Sequence, residues 1–260
     1  YADLPMAART YGQIATPTSF GAVAAAWGAP LLRLRSDLAT LRPQVLQVSL
    51  SGAAGTLSAM DGKGPEVRAA LAERLDLGDP GESWHATRDR TAALAAWLTR
   101  LAGTLGKMGE DLTLMTQSGI GEVTLGEGGG SSTMPQKSNP VLPSLLVAIA
   151  RQMVGLDSVM QTALVHRQSR DGAAWFTEWM TLPQMCCLAG RALAVGDELS
   201  RTTVPEPDRM AAQIDDGSGL IHAEALSFGL TDRMSRPDAQ ATVKVLCREA
   251  LETGTPLRAL

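Results

Sequence analysis

Residues 94–115 read LAAWLTRLAGTLGKMGEDLTLM, and this stretch decides the fold class. Its large apolar residues follow one another at alternating steps of four and three: Leu94, Leu98, Leu101, Leu105, Met108, Leu112 and Met115. This repeat places them on one face of a helix, which we predict at about 87–117. An unbroken stripe of this length is typical of a long helix packed at a shallow angle in a bundle.

Three further segments have helical character. A second unbroken stripe begins near Pro140 and continues to Ala163, and other helices are predicted at about 18–50 and 175–200. The 18–50 segment contains Pro30 and Pro43, each of which we expect to kink or interrupt the helix. A short helical piece is predicted near 66–75. No window alternates clearly enough to predict a sheet.

The tail contains shorter predicted helices. Pro205 and Pro207 break the pattern, and helices follow at about 208–213, 223–231 and 237–253. We therefore predict an all-α protein with a long-helix bundle domain at 1–203 and a small C-terminal helical domain at 204–260.

Composition narrows the functional class. Hydrophobic residues make up 45% of the chain, aromatic residues only 4%, and the net charge is −4. Basic residues do not cluster with aromatic ones, so we expect no nucleic-acid partner. No apolar run approaches the ~20 residues of a membrane span, so we expect no membrane partner either. Three cysteines provide neither a disulfide framework nor a zinc pattern, which favours a reducing, cytoplasmic compartment and no metal.

Residues 119–140, called the connector below, join the two striped helices. Its 22 residues exceed the roughly 2–8 that helix–helix connections need. Its composition, with glycines at 126, 128, 129 and 130, is typical of a flexible linker. A catalytic loop is the alternative, because glycine lets a substrate approach the backbone closely.

The polar residues of the connector suit a substrate that carries carboxylates. Ser131 and Ser132 supply hydroxyls, Lys137 supplies a cation, and Asn139 supplies a donor and an acceptor. We expect Asn139 to be the N-cap of a helix that has Pro140 in its first turn. Such donors can stabilise negative charge that grows in a transition state.

Residues 130–140 read GSSTMPQKSNP, called the signature segment below. They resemble the signature G-S-S-x-M-P-x-K-x-N-P of the fumarase/aspartase superfamily and match it at every fixed position. The resemblance implies a long-helix bundle with a small helical terminal domain. It also implies a homotetramer whose active sites combine segments of different subunits. Members carry a preceding N-terminal helical domain, so we expect that this chain, which begins at Tyr1, lacks it.

The resemblance also assigns roles within the signature segment. It implies that Ser131 is the catalytic base and that Lys137 and Asn139 stabilise the substrate carboxylate and the oxyanion. Ser132 and Met134 become substrate-binding residues. A serine has to be activated by its surroundings, which loop amides and Lys137 can do. No cofactor is implied.

Residues 8–21 read ARTYGQIATPTSFG and are similar to the superfamily's R-T-H-x-Q-x-A-x-P-x-T-x-G region. The resemblance implies that Thr10 and Gln13 bind substrate. Tyr11 replaces the histidine that serves the amino- and hydroxy-eliminating members, and an aromatic residue there is common in the lactonizing branch. Tyr11 either lines the site or only fills space, and we favour the site-lining role.

Residues 166–179 read HRQSRDGAAWFTEW and resemble the lactonizing branch's H-x-R-x-x-G-x-W-x-x-E-W stretch. The branch's histidine aligns with Gln168 here. Arg170 is then an additional substrate-binding cation, since arginine binds carboxylates in bidentate fashion. Alternatively, Arg170 only solvates a helix end. His85 lies in a polar stretch and is expected to be exposed.

The resemblance therefore implies a cofactor-free cycloisomerase that converts the small polycarboxylate 3-carboxy-cis,cis-muconate into 4-carboxymuconolactone in protocatechuate catabolism. Two alternatives stay open. One is a superfamily lyase of the adenylosuccinate or argininosuccinate type, which releases fumarate. The other is a non-catalytic, crystallin-like structural tetramer.

Overall fold

The computed structural model describes residues 1–126, 129–130, 133–135 and 137–260. These residues form α1 Phe20–Val45, α2 Gly64–Leu75, α3 Asp89–Met115, α4 Val141–Thr162, α5 Gly172–Thr202, α6 Pro207–Ile214, α7 Ala223–Gly229 and α8 Arg236–Thr253. The short strands are β1 Pro5–Thr10, β2 Gln13–Ser19, β3 Val123–Thr124, β4 Gly129–Gly130, β5 Ser138–Asn139 and β6 Val204–Pro205. The prediction of an all-α protein built on long helices is confirmed.

The chain divides into two compact units. Unit 1 consists of Tyr1–Ala26, Leu114–Gly126 and Thr203–Leu260, and unit 2 consists of Trp27–Thr113 and Glu127–Thr202. The C-terminal segment therefore folds together with two stretches that are remote in sequence. A boundary at 203/204 between sequence-continuous domains stays a prediction.

Unit 1 contains a β-hairpin that the sequence analysis did not predict. Strands β1 and β2 pair antiparallel from Pro5↔Ser19 to Thr10↔Gln13, with a register shift between Ala7 and Arg9. The shift and the small residues of PMAART and QIATPTS obscure the two-residue alternation that identifies a strand. The expectation of no sheet was therefore wrong in this segment. Strand β1 packs against α6, and β3 pairs with β6.

Unit 2 buries most residues of the two predicted apolar stripes. Glycines allow its long helices to approach one another closely. A Cβ on Gly109 of α3 would lie 2.5 Å from the Pro143 carbonyl oxygen and 2.9 Å from the Leu146 Cβ of α4. A Cβ on Gly196 of α5 would lie 2.8 Å from a Leu105 methyl of α3. The start of α4 is therefore held directly against the backbone of α3.

Helix α1 is not interrupted at Pro30 or at Pro43, and it ends at Val45 rather than near residue 50. Contacts with α3 hold α1 in place near Pro30. The Trp27 Nε1–H donates to Asp111 at 2.7 Å, and the Trp97 Nε1–H donates to the Leu34 carbonyl at 2.9 Å. Packing of this kind offsets the single backbone hydrogen bond that a proline removes.

By length and composition, α4 is apolar enough to cross a membrane, and it is the one such helix among the described residues. From the sequence, no helix able to span a membrane was expected. Five of its residues are buried within the structure: Pro143, Leu146, Ile149, Met153 and Met160. Because the core helix of a soluble protein passes the same test, one such helix is weak evidence for a membrane span.

Candidate active site

Strands β4 and β5, at the start and near the end of the signature segment, pair with each other. Gly129 pairs with Asn139, and Gly130 pairs with Ser138, in an antiparallel arrangement. The predicted catalytic Ser131 and its neighbour Ser132 lie outside the described residues. Four described residues of the connector, Gly129, Gly130, Ser138 and Asn139, therefore form a short antiparallel ladder.

Any side chain at Gly129 would require the Val141 side chain to move. A Cβ there would collide with the side chain of Val141, the first residue of α4, and would also contact the Asn139 Cβ at 3.7 Å. The strand that leads into the signature segment therefore lies directly against the start of the helix that follows it. This close approach is a packing reason for one of the connector glycines.

Lys137, Asn139 and Met134 occupy the second half of the signature segment. The Lys137 N–H donates to the Met134 carbonyl at 3.0 Å. Lys137 and Met134 are exposed, and Asn139 is half-buried. The signature segment thus presents a cation and a thioether at its surface.

The expected N-cap role of Asn139 was wrong. Pro140 is the N-cap residue of α4, and no capping hydrogen bond from a side chain is found there among the described residues. Asn139 instead belongs to β5, where its backbone is paired with Gly129. The sequence pattern of asparagine before proline is typical of a cap, but pairing between β4 and β5 fixes a different backbone conformation.

Thr10, Tyr11 and Gln13 meet at the tip of the β1–β2 hairpin in unit 1. Thr10 pairs with Gln13, so Tyr11 and Gly12 form the two-residue turn. Their φ angles of 52° and 76° are both positive, as a type I′ turn requires. All four residues are exposed, and Tyr11 completely so.

Tyr11 is an unusual residue for this position. A non-glycine residue in the left-handed region costs about 1–2 kcal/mol, and asparagine or glycine is the common choice in such turns. A fully exposed tyrosine gains little from packing that could offset this cost. Strain of this kind is found preferentially at functional sites. The site-lining role of Tyr11 stays a prediction.

Arg9 anchors the same hairpin, and the sequence analysis missed it. Its Nη1 donates to both carboxylate oxygens of Glu122, at 2.9 and 2.8 Å, and its Nη2 donates to the Gln213 Oε1 at 3.2 Å. Glu122 is completely buried. A single glutamate in a glycine-rich connector carries no sequence pattern that would identify it as an ion-pair partner.

Arg170 of unit 2 binds the turn that follows α1. Its Nε and Nη2 donate to the carbonyls of Ala53 and Gly52 at 3.2 and 2.8 Å. Its guanidinium also lies 4.7 Å from the centre of the Trp175 ring. Gln168, two residues earlier, has a positive φ of 58°. Arg170 is therefore held by specific contacts in unit 2, and its role in substrate binding stays a prediction.

His85 is buried, with 5% of its surface exposed, so the expectation of an exposed residue was wrong. The Trp175 Nε1–H donates to the His85 carbonyl at 2.9 Å, and the two rings meet edge to face at 5.8 Å. Burial lowers the pKa of His85, and the nearby Arg170 charge lowers it further, although the Ser169 carbonyl opposes both. The neutral imidazole is therefore favoured.

Arg88 and Glu178 form an ion pair in unit 2, in which the glutamate is buried and the arginine side chain is 13% exposed. The Arg88 Nε and Nη2 donate to the two carboxylate oxygens of Glu178 at 2.8 and 2.6 Å. The Arg88 guanidinium lies 4.8 Å from the centre of the Trp84 ring. This pair fixes the first turns of α5, which begins two residues after Arg170. Among the described residues, no group of three or more His, Cys, Asp or Glu side chains could hold a metal ion.

Comparison with known proteins agrees with these observations. Residues 1–155 match a family model described as Lyase. The chain belongs to this lyase family, within the fumarase/aspartase superfamily, so the predicted membership is confirmed.

Within the family, the chain is similar to the lactonizing branch. It is 41% identical over 263 residues to the 3-carboxy-cis,cis-muconate cycloisomerase of Pseudomonas aeruginosa, an alignment that covers 100% of this chain and 57% of that protein. The crystal structure of the 3-carboxy-cis,cis-muconate lactonizing enzyme from Pseudomonas putida matches with a TM-score of 0.91 and 37% identity, over 99% of this chain and 57% of that one.

A crystal structure of a fumarate lyase from Mesorhizobium sp. BNC1 matches with the same TM-score of 0.91, at 34% identity, over 98% of this chain and 58% of that one. The chain therefore spans less than two thirds of the length of these relatives.

Proposed function

We propose that the protein containing this chain is a cofactor-free cycloisomerase that closes 3-carboxy-cis,cis-muconate into 4-carboxymuconolactone. The observation that carries the proposal is the 41% identity to a named cycloisomerase across the entire chain. Tyr11 supports it, because this residue replaces the histidine of the amino- and hydroxy-eliminating members. The fully matched signature segment supports a catalytic rather than a purely structural protein.

In the proposed reaction, an oxygen of one substrate carboxylate adds to a carbon–carbon double bond. The new C–O bond displaces the double-bond electrons toward the carbon next to a second carboxylate, where an enediolate-like charge develops. Lys137, Asn139 and loop amides stabilise this charge. Electrostatic stabilisation of this kind is usually the largest single contribution to the rate acceleration. Ser131, or a proton source next to it, delivers the proton to that carbon.

Substrate binding is proposed to use cations and polar groups from three stretches of sequence. A tricarboxylate needs more than one positive charge, and we assign Arg170 as the second cation beside Lys137. We assign Thr10, Tyr11 and Gln13 to the same task, together with Ser132 and Met134 of the signature segment. The hairpin turn that presents three of these side chains to solvent supports their assignment.

We further propose a cytoplasmic homotetramer whose active sites are shared between subunits. Large apolar side chains stay exposed on the long helices of unit 2: Val154 and Val159 on α4, and Phe176, Trp179 and Met180 on α5. Apolar side chains of this size on neighbouring helices are typical of an interface between protein chains. Sedimentation of the full-length protein tests the tetramer.

Removal of the Ser131 hydroxyl tests the mechanism. The assay follows the loss of muconate ultraviolet absorbance on addition of the full-length protein. Ser131→Ala should lower kcat by roughly 10²–10⁴-fold, the contribution of a positioned proton-transfer group. Ser158→Ala, an exposed serine on α4, is the matched control and should leave the rate unchanged. Equal rates for both variants would exclude Ser131 from the chemistry.

A second candidate is a lyase that releases fumarate, because a fumarate lyase is among the similar structures. Incubation with adenylosuccinate and argininosuccinate, followed by measurement of fumarate, distinguishes the two reactions. Fumarate formation with persisting muconate absorbance would replace our proposal. If Tyr11→His gains no fumarate-releasing activity, this candidate is weakened further. A crystallin-like structural protein would assemble normally and show neither activity.

A further inference from the structure

The base of the β1–β2 hairpin contains a charged group that the proposed chemistry does not use. Arg9 bonds both oxygens of the Glu122 carboxylate and, through its other terminal nitrogen, the Gln213 side chain. Glu122 is completely buried, and the Arg9 side chain is only 22% exposed. One guanidinium thus joins the hairpin, the connector and α6 within unit 1.

Glu122 is fixed by the backbone on both sides. Its N–H donates to the Met115 carbonyl, and its own carbonyl accepts from the Glu206 N–H, both at 2.9 Å. The next two residues form β3, which pairs with β6. The main chain that carries the carboxylate is therefore fixed, and contacts of the two terminal nitrogens of Arg9 with Glu122 and Gln213 together restrict the orientation of its planar guanidinium.

The hairpin needs such an anchor near its tip. The register shifts between Ala7 and Arg9, so the regular ladder of β1 and β2 is interrupted there. Beyond the shift, only the pairs Arg9↔Ile14 and Thr10↔Gln13 remain before the turn. Two residue pairs alone define a short, exposed hairpin end weakly. Consecutive strand residues point to opposite faces, so an anchored Arg9 fixes the side to which Thr10 points.

We infer that Arg9 and Glu122 are a positioning pair that holds the hairpin tip, Thr10, Tyr11 and Gln13, in the orientation that binds the substrate. The inference rests on the proposed function of that tip. Arg9 and Glu122 act through the tip residues and do not contact the reacting atoms.

Arg9→Lys tests this role without leaving Glu122 buried and unpaired. A lysine keeps the charge, but its single ammonium cannot bond both carboxylate oxygens and Gln213 in the same planar geometry. The KM for 3-carboxy-cis,cis-muconate should rise about tenfold while kcat stays within about twofold, because the lost interaction concerns substrate binding. Hydrogen exchange at the amides of residues 10–14 should become faster.

The matched control is Arg201→Lys, the same substitution in the exposed ion pair with Asp197. It should change neither KM nor the exchange of the hairpin. Glu122→Asp, which shortens the carboxylate arm, should reproduce the KM effect of Arg9→Lys. The KM of the double variant should be close to that of either single variant, because both substitutions disturb the same interaction.

Two results would overturn the inference. The first is an unchanged KM together with unchanged hairpin exchange in both Arg9→Lys and Glu122→Asp. The second is a lower apparent kcat at constant KM, because a purely structural role reduces the amount of folded enzyme only. If the unmodified protein does not consume the muconate, the proposed function fails, and the exchange measurement still decides whether the pair holds the tip.

Discussion

The close contact between α3 and α4 predicts that alanine substitutions at two glycines of α3 change the free energy of unfolding in opposite directions. Gly109→Ala would place a Cβ 2.5 Å from the Pro143 carbonyl oxygen. Because a backbone oxygen cannot rotate away, the helices must separate by roughly 0.9–1.5 Å to restore ordinary contact. Overpacking of this kind costs about 1–3 kcal/mol. Gly103→Ala on the same helix meets nothing within 4 Å and lies at the surface.

Both substitutions gain the same helix propensity, about 1 kcal/mol, so the difference between the two variants isolates the packing cost. Gly103→Ala should raise the free energy of unfolding. The free energy of unfolding of Gly109→Ala should be about 1–3 kcal/mol lower than that of Gly103→Ala. Urea denaturation followed by circular dichroism measures both. The shift at Gly109 moves the first turn of α4, so kcat/KM should fall in this variant alone. Equal stability of the two variants would refute the close approach of α3 and α4.

Three further predictions concern single side chains. Tyr11→Asn should raise the unfolding free energy by up to about 1 kcal/mol, since asparagine tolerates a positive φ, and should lower activity in the muconate assay. Glu178→Gln leaves the Arg88 charge buried without its partner and should destabilise by about 3–5 kcal/mol in urea denaturation, whereas Asp37→Asn in an exposed pair should cost less than about 1 kcal/mol. Burial lowers the pKa of His85, so the unfolded chain binds this proton more readily than the folded chain. The free energy of unfolding should therefore decrease as the pH falls below about 6.5, the pKa of histidine in the unfolded chain. His85→Gln removes this titration, so the urea midpoint of the variant should decrease less between pH 7 and pH 5.

The helices could be predicted from sequence because their signal is repeated many times. The stripe from Leu94 to Met115 provides seven apolar residues in phase, and the observed α3, Asp89–Met115, differs from the prediction by two residues at each end. The tail helices α6 and α8 are found within about one residue of their predicted bounds because prolines mark their starts. The signature segment was identified from the identity of its residues, independently of any periodicity.

The features that could not be predicted depend on single contacts between remote residues. Glu122 forms an ion pair with Arg9, 113 positions earlier in the sequence. The residues that flank Glu122 give no indication of this ion pair. His85 is buried because Trp175 lies against it, 90 positions away. Asn139 has the local chemistry of an N-cap, but its pairing with Gly129 prevails. Local patterns describe propensity, and tertiary contacts of this kind override it.

The assembly of unit 1 from three separate stretches has a consequence for biosynthesis. Arg9 lies 113 residues before Glu122 and 204 residues before Gln213. At a synthesis rate of about 5–20 residues per second, the hairpin waits on the order of 10–40 s for its last partner. During that interval the edges of β1 and β2 are open to pairing with other chains. Contacts of such long range also make folding slow. The yield of soluble protein should therefore depend on translation speed and on chaperones more strongly than the helical content alone would imply.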